Sequence, residues 1–288
     1  MSDISSKSRG TTSLSLSLRI ALKLSVIIAT GFLLTTAASA ATVTNRVTGA
    51  ANWNTAATWI QNRTGTVTFT NASKNVTGVG TSFTTELQVG DLLILQGTPG
   101  TVRGTIFSIT SNTQLTLAAN ATANANGAYG RQQVPGAADD VVIGNTNLAT
   151  PAVTITLNVG SATVNSLTFT ATTVANSLTH SGTNSLTVSN NVTVNQPTAA
   201  VTVAWNVNGG TATVGGNLAI GGANTTASRV SRIAVTTGSL TVNGTASYAS
   251  NSVAANEVIT VSTGTITFTS NLTLSSGTLS VTTRTLPD

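Results

Sequence analysis

From about residue 151 onward, apolar and small polar residues alternate in short runs, and the runs recur at a near-constant spacing. Four segments align: Ser185-Leu-Thr-Val-Ser-Asn-Asn-Val-Thr-Val194, Thr211-Ala-Thr-Val-Gly-Gly-Asn-Leu-Ala-Ile220, Ser239-Leu-Thr-Val-Asn-Gly-Thr-Ala-Ser-Tyr248 and Thr265-Ile-Thr-Phe-Thr-Ser-Asn-Leu-Thr-Leu274. Their fourth positions, Val188, Val214, Val242 and Phe268, lie 26, 28 and 26 residues apart. Successive side chains of a strand point to opposite faces, so this alternation turns one face inward. Each unit reads as a strand, a Gly/Asn/Ser corner and a second strand, because Asn and Gly tolerate left-handed backbone angles. A fixed period of this size is the signature of a solenoid, whereas a hairpin array would show two-residue turns. The pattern predicts an all-β chain ending in a short right-handed parallel β-helix over 151–288. The 138 residues at roughly 27 per repeat give about five coils. Neighbouring coils would lie ~4.8 Å apart, with some inward Asn stacked between them. A β-sandwich is the alternative.

A different pattern occupies 64–131. Gly65-Thr-Val-Thr-Phe-Thr70, Asn75-Val-Thr-Gly-Val-Gly80, Leu87-Gln-Val-Gly-Asp-Leu-Leu-Ile-Leu95, Thr105-Ile-Phe-Ser-Ile109 and Gln114-Leu-Thr-Leu117 are short alternating runs with no common period. Such spacing predicts a small inserted β-barrel or β-sandwich; the alternative is an outsized loop of the helix. The Gly90-Asp91 corner followed by Leu-Leu-Ile-Leu is similar to small β-modules of phage fibres and bacterial surface proteins.

The insert splits two stretches, 41–63 and 132–150, that read as an N-terminal cap. The first holds Trp53-Asn54-Thr55-Ala56-Ala57-Thr58-Trp59, the second Val134-Pro135-Gly136-Ala137-Ala138-Asp139-Asp140-Val141-Val142-Ile143. With Val153–Leu157 and Ser166–Phe169 after them, they resemble the start of secreted bacterial β-helix surface proteins of adhesin-like type. They also look like the extracellular domain family named for its eight glycines, although the glycines match poorly. The resemblance implies that the tryptophans cap the first coil, where apolar core would otherwise be exposed.

Composition adds a compartment. Of 288 residues only 7% are charged, and there is no Cys, which excludes disulfides and thiolate metal sites. Residues 1–40 carry Lys7, Arg9, Arg19 and Lys23, then the apolar run Leu24–Leu34, then Ala38-Ser39-Ala40. This order predicts a signal peptide cleaved after Ala40, and hence a secreted or surface-bound chain. Beyond it the net charge falls from +5 to +2, with 8 basic and 6 acidic residues. That is too little positive charge for nucleic acid. The later apolar residues never run long enough to span a membrane.

The chemistry-bearing residues are few. The six acids are Glu86, Asp91, Asp139, Asp140, Glu257 and Asp288. Glycoside cleavage needs two carboxylates facing each other, but Asp139 and Asp140 are adjacent in a strand and point to opposite faces. They read as a turn-to-strand polar pair, and Asp91 as a turn residue. His180, the sole His, reads as a solvated corner between Thr179 and Ser181. Arg229 and Arg232 make only a local basic spot, and Gly215-Gly216 and Gly221-Gly222 read as coil corners. No catalytic, cofactor or metal site is expected. The expectation is a non-enzymatic extracellular structural or adhesion protein. The alternative is a β-helix that binds or cleaves glycan along its flank. The last strands, Asn271–Leu274 and Thr278–Val281, still follow the repeat, so self-association through an open C-terminal coil is expected.

Overall fold

The computed structural model describes residues 41–96, 101–145, 152–223, 225–248, 253 and 255–281. The chain divides into Met1–Ser39 and Ala40–Asp288. The expected signal segment and Asp288 lie outside the described residues.

The second unit is all-β: a solenoid of about five turns and a closed barrel of six strands. Each turn contributes one strand to each of three faces. Face one carries Asp140–Ile143, Ser166–Phe169, Val192–Asn195, Leu218–Gly221, Ala246–Tyr248 and Leu272–Leu274. Face two carries Val153–Leu157, Asn176–His180, Thr202–Asn208, Val230–Val235, Glu257–Val261 and Thr278–Val281. Face three carries Ser161–Val164, Ser185–Val188, Thr211–Val214, Ser239–Val242 and Thr265–Phe268. Every rung is parallel.

The sequence repeat is the structural register. Val188, Val214, Val242 and Phe268 stand in one column, as do Val192, Leu218, Ala246 and Leu272. Val164 extends the first column by one turn. That turn escapes the sequence alignment because its corner is shorter: Val164 to Leu167 is three residues, against four from Val188 to Val192.

Inward residues of all three faces form one continuous core, with Trp205 its largest side chain beyond the first turn. Full burial of each Val, Leu or Ile contributes about 1.5–3 kcal/mol, which is how a chain without disulfides holds such a stack. The Asn columns stand at the corners between faces three and one, not inside. Asn190 Nδ2 donates to Asn165 Oδ1 at 2.6 Å, and Asn165 Nδ2 to Asp140 Oδ1 at 2.8 Å. Beside them the Asn217 and Thr245 backbone N–H groups donate to Asn191 and Asn217 Oδ1, at 2.8 and 2.9 Å. At the corner between faces two and three glycines stack so closely that a Cβ on Gly238 would come within 1.9 Å of the Gly210 carbonyl oxygen. Only Gly permits that approach.

The strands Thr42–Asn45 and Gly49–Asn52 extend faces one and two, pairing in parallel with Thr42↔Asp140 and Gly49↔Val153 as their first rungs. The chain then passes through Trp53 and Trp59 and enters the barrel. The barrel order is Trp59–Phe69, Asn75–Val79, Gln114–Leu117, Thr101–Ser111, Leu92–Leu95 and Ala125–Arg131, closing back on Trp59–Phe69, all antiparallel. Its separate core includes Phe69, Phe83, Leu93, Ile106, Leu115 and Tyr129.

Strand Trp59–Phe69 belongs to both bodies. Residues 59–61 pair with 43–45 of face one, and 66–69 pair inside the barrel. Gly65, with φ +86°, bends the strand where it crosses; a Cβ there would lie 2.5 Å from the Gly80 carbonyl oxygen.

Candidate functional site

Five charges of this charge-poor chain, Arg63, Arg131, Glu86, Asp91 and Asp139, gather around the strand shared by barrel and solenoid. Gln61, buried on the shared strand, is the hub. Its Nε2 donates to Asp139 Oδ1 at 2.7 Å. Its Oε1 accepts from Arg131 Nε at 2.9 Å and from the Arg63 guanidinium. Arg131 continues the chain through an ion pair with Asp91 at 2.8 Å, and Asp91 accepts the Gln88 N–H at 2.8 Å. Glu86, at the end of the short helix Phe83–Glu86, accepts from Thr64 Oγ1 at 2.8 Å and from the Tyr129 hydroxyl at 3.2 Å. Burial holds the Arg63 guanidinium below its ordinary pKa, and the Arg131 charge adds to that; Glu86, Asp139 and Asp91 oppose it. Burial, and then the Glu86 charge and hydrogen bond, push the Tyr129 hydroxyl well above its ordinary pKa.

Asp139 precedes the strand that begins at Asp140, and the two carboxylates bond in different directions. Asp139 turns back to Gln61 and also accepts the Gly136 N–H at 2.8 Å. Asp140 faces the next turn, accepting from Ser166 Oγ at 2.6 Å as well as from Asn165. All four acids are engaged in fixing one segment of the chain to another.

His180 is not the solvated corner expected from its neighbours. It is 2% exposed, at the inward end of Asn176–His180. Its Nε2 accepts from Trp205 Nε1 at 3.1 Å, and its Nδ1 lies 3.1 Å from the Asn184 carbonyl oxygen. Indole N–H only donates and a carbonyl only accepts, so the partners fix a neutral imidazole with its proton on Nδ1. Burial lowers the His180 pKa, and the hydrogen bond to Asn184 opposes this.

Glu257 is buried opposite Ser231, whereas Arg232 is half-buried on the outward side and donates to Asn206 Oδ1 at 3.3 Å. The strand thus separates this acid from that base. Glu257 instead lies beside Tyr248, whose hydroxyl is pushed well above its ordinary pKa by burial first and also by the Glu257 charge. The Arg229 carbonyl accepts from Gln196 Nε2 at 3.2 Å. Gly215 and Gly216 lie at a corner, where an added Cβ would meet Ser189 and Asn190–Asn191 backbone or side-chain atoms. Among the described residues no group of three or more His, Cys, Asp or Glu is placed to hold a metal ion.

Sequence reasoning missed Gln61, Arg63 and Arg131. One signal was present: with only 8 basic residues beyond residue 40, an Arg on a barrel strand is a marked position. Comparison with protein-family models, curated proteins and solved structures finds no match to the chain.

Proposed function

We propose that the chain is an exported, non-catalytic adhesive or structural module, its solenoid a rigid spacer and its barrel a head fixed at one end. The observation that supports this reading most is the engagement of Asp91, Glu86, Asp139 and Asp140. Asp91 and Glu86 tie barrel segments to one another, Asp139 ties barrel to solenoid, and Asp140 ties turn to turn. A hydrolase needs carboxylates aimed at an open space between them. Trp53 and Trp59, stacked edge to face at 5.0 Å with Trp59 Nε1 donating to the Trp53 carbonyl at 2.8 Å, serve as the cap of the first turn.

The reading requires export. Fractionation and N-terminal sequencing should find the extracellular chain beginning at Ala41, and beads coated with it should adhere to cell or matrix surfaces. Glycan cleavage lost in Asp139→Asn or Asp140→Asn, with unfolding unchanged, overturns the non-catalytic reading. Self-association belongs to the same proposal. Leu279 and Val281 of Thr278–Val281, the outermost described strand of face two, are 38% and 59% exposed. Leu279→Lys should shift sedimentation toward monomer; unchanged sedimentation overturns association through this end.

A further inference from the structure

The three faces differ in their outward chemistry. On face two the outward column runs Thr154, Ser177, Ala204, Arg232, Val258, Thr278, a mixture of hydroxyl, apolar and charged groups. The register also slips at Asn206/Asn208. On face one the outward residues include Thr168, Thr193, Ala219, Ser247 and Thr273 in one column, with Asp140 and Gly221 elsewhere. Face three alone is uniform. Its two outward columns are Ser161, Ser185, Thr211, Ser239, Thr265 and Thr163, Thr187, Thr213, Thr241, Thr267. All ten positions carry a hydroxyl, the second column is entirely Thr, and no rung departs from register.

The hydroxyls of this uniform second column are also open to an outside partner. Some outward polar groups are engaged with a neighbouring turn: Ser177 with Thr154 at 3.2 Å and Asn206 with Thr179 at 3.1 Å on face two, Ser166 with Asp140 at 2.6 Å on face one, and Ser185 of the first column of face three with the Gly160 carbonyl at 3.2 Å. Among the described residues, none of the five Thr hydroxyls of the second column has a hydrogen-bond partner in the protein; the face-one column Thr168, Thr193, Ser247 and Thr273 shares this, but Ala219 interrupts it and Ser replaces Thr at one position. The corners on both sides, 158–160, 181–184 and 209–210 on one and 189–191, 215–217 and 243–245 on the other, carry no charge.

We infer that face three is an ice-binding surface. The grid repeats at ~4.8 Å across the strands and about 6.7 Å along them, set by strand spacing and rise. These two lengths lie close to the oxygen repeats on a prism face of hexagonal ice. Thr is stiff at χ1, so each column holds its methyl and hydroxyl groups in one repeated arrangement, and little side-chain entropy is lost when water orders against them. The competing ligands need chemistry that face three lacks. Sugar rings stack on aromatic side chains, and protein interfaces are enriched in aromatic residues and Arg. Neither occurs at the ten positions.

Ice is then what one flank adheres to, and this rests on the adhesive reading only for access to the outside of the cell. The test uses purified full chain in solution, so its failure leaves the export and adhesion experiments standing. Fluorescently labelled protein should adsorb to a growing ice hemisphere on discrete planes, and unlabelled protein should inhibit ice recrystallisation at micromolar concentration. Thr213→Tyr, in the middle of the column, should reduce inhibition at least tenfold, while Thr179→Tyr on face two should leave it within twofold; thermal unfolding checks both folds. Thr213→Val with Thr241→Val keeps shape and removes hydroxyls; it should weaken inhibition several-fold and decides the matter if the Tyr variant unfolds. Absence of adsorption to ice, equal losses from the face-two and face-three variants, or binding to crystalline cellulose or chitin but not to ice overturns the inference.

Discussion

The barrel and the solenoid bury the same kinds of side chain but satisfy their polar groups in different ways. At the solenoid's corners the polar contacts are made by neutral groups repeated from turn to turn, Asn165, Asn190 and Asn217, with Asp140 at the first of them. In the barrel, where antiparallel strands from distant parts of the chain close on one another, it falls to single charged residues, with Arg131 on Asp91 and Tyr129 on Glu86. A repeated neutral contact has a like neighbour above and below, so its desolvation is shared along a column. A closed barrel has no such column, and its charges are held by one-off pairings, in which removing one partner leaves the other uncompensated.

This contrast can be broken at three points. The largest effect is expected from Trp205→Ala, which opens a cavity in the solenoid core and leaves His180 Nε2 without its donor; a loss of about 3–5 kcal/mol is expected. Denaturant unfolding followed by circular dichroism measures it, and a loss under about 1 kcal/mol would mean that the turns do not share one core. The next is Gln61→Ala, which removes the hub joining Asp139, Arg63 and Arg131. A loss of about 1–3 kcal/mol is expected from the partners left unsatisfied. Because the shared strand couples the two bodies, calorimetry should also resolve separate barrel and solenoid transitions where the parent shows one. A single unshifted transition would show that strand Trp59–Phe69 alone carries the coupling.

The gentlest break is acid. The folded His180 pKa lies below the ordinary imidazole value of 6.5. The unfolded chain therefore binds the proton more readily, and stability rises with pH through that window. His180 contributes in full above about 6.5 and progressively less as pH falls through the unfolded value toward the folded one. Protonation would also set a second N–H against the Trp205 donor. Unfolding midpoints measured from neutral pH down to the acid range should decline, and His180→Gln should flatten the decline. An equal slope in both proteins would assign the pH dependence to the carboxylates.

The two bodies also differ in how far they can be read in advance. Val188, Val214, Val242 and Phe268 announce their contacts because each partner lies one repeat away. Gln61 meets Asp139 across 78 residues and Arg131 across 70, with no period to signal either. His180 shows a legible feature overridden by its surroundings. Thr179 and Ser181 suggest a solvated corner, yet the alternation Asn176, Leu178, His180 already placed its ring on the inward face, where all three are buried. Strand period was the stronger signal, because side-chain direction in a strand follows from backbone geometry and not from neighbouring polarity.

The all-β class, the turn length and the column register of the solenoid are written in the amino-acid order alone. Those follow from alternation and a near-constant period, both local properties that every turn repeats. The folded chain adds that Thr42–Asn45 and Gly49–Asn52 are strands of the stack itself and that Trp59–Phe69 serves two bodies. It also adds that six strands close into a barrel and that Asp139 is engaged at the junction by Gln61. These depend on pairings between segments far apart in the chain, each made once, so no repetition along the sequence marks them.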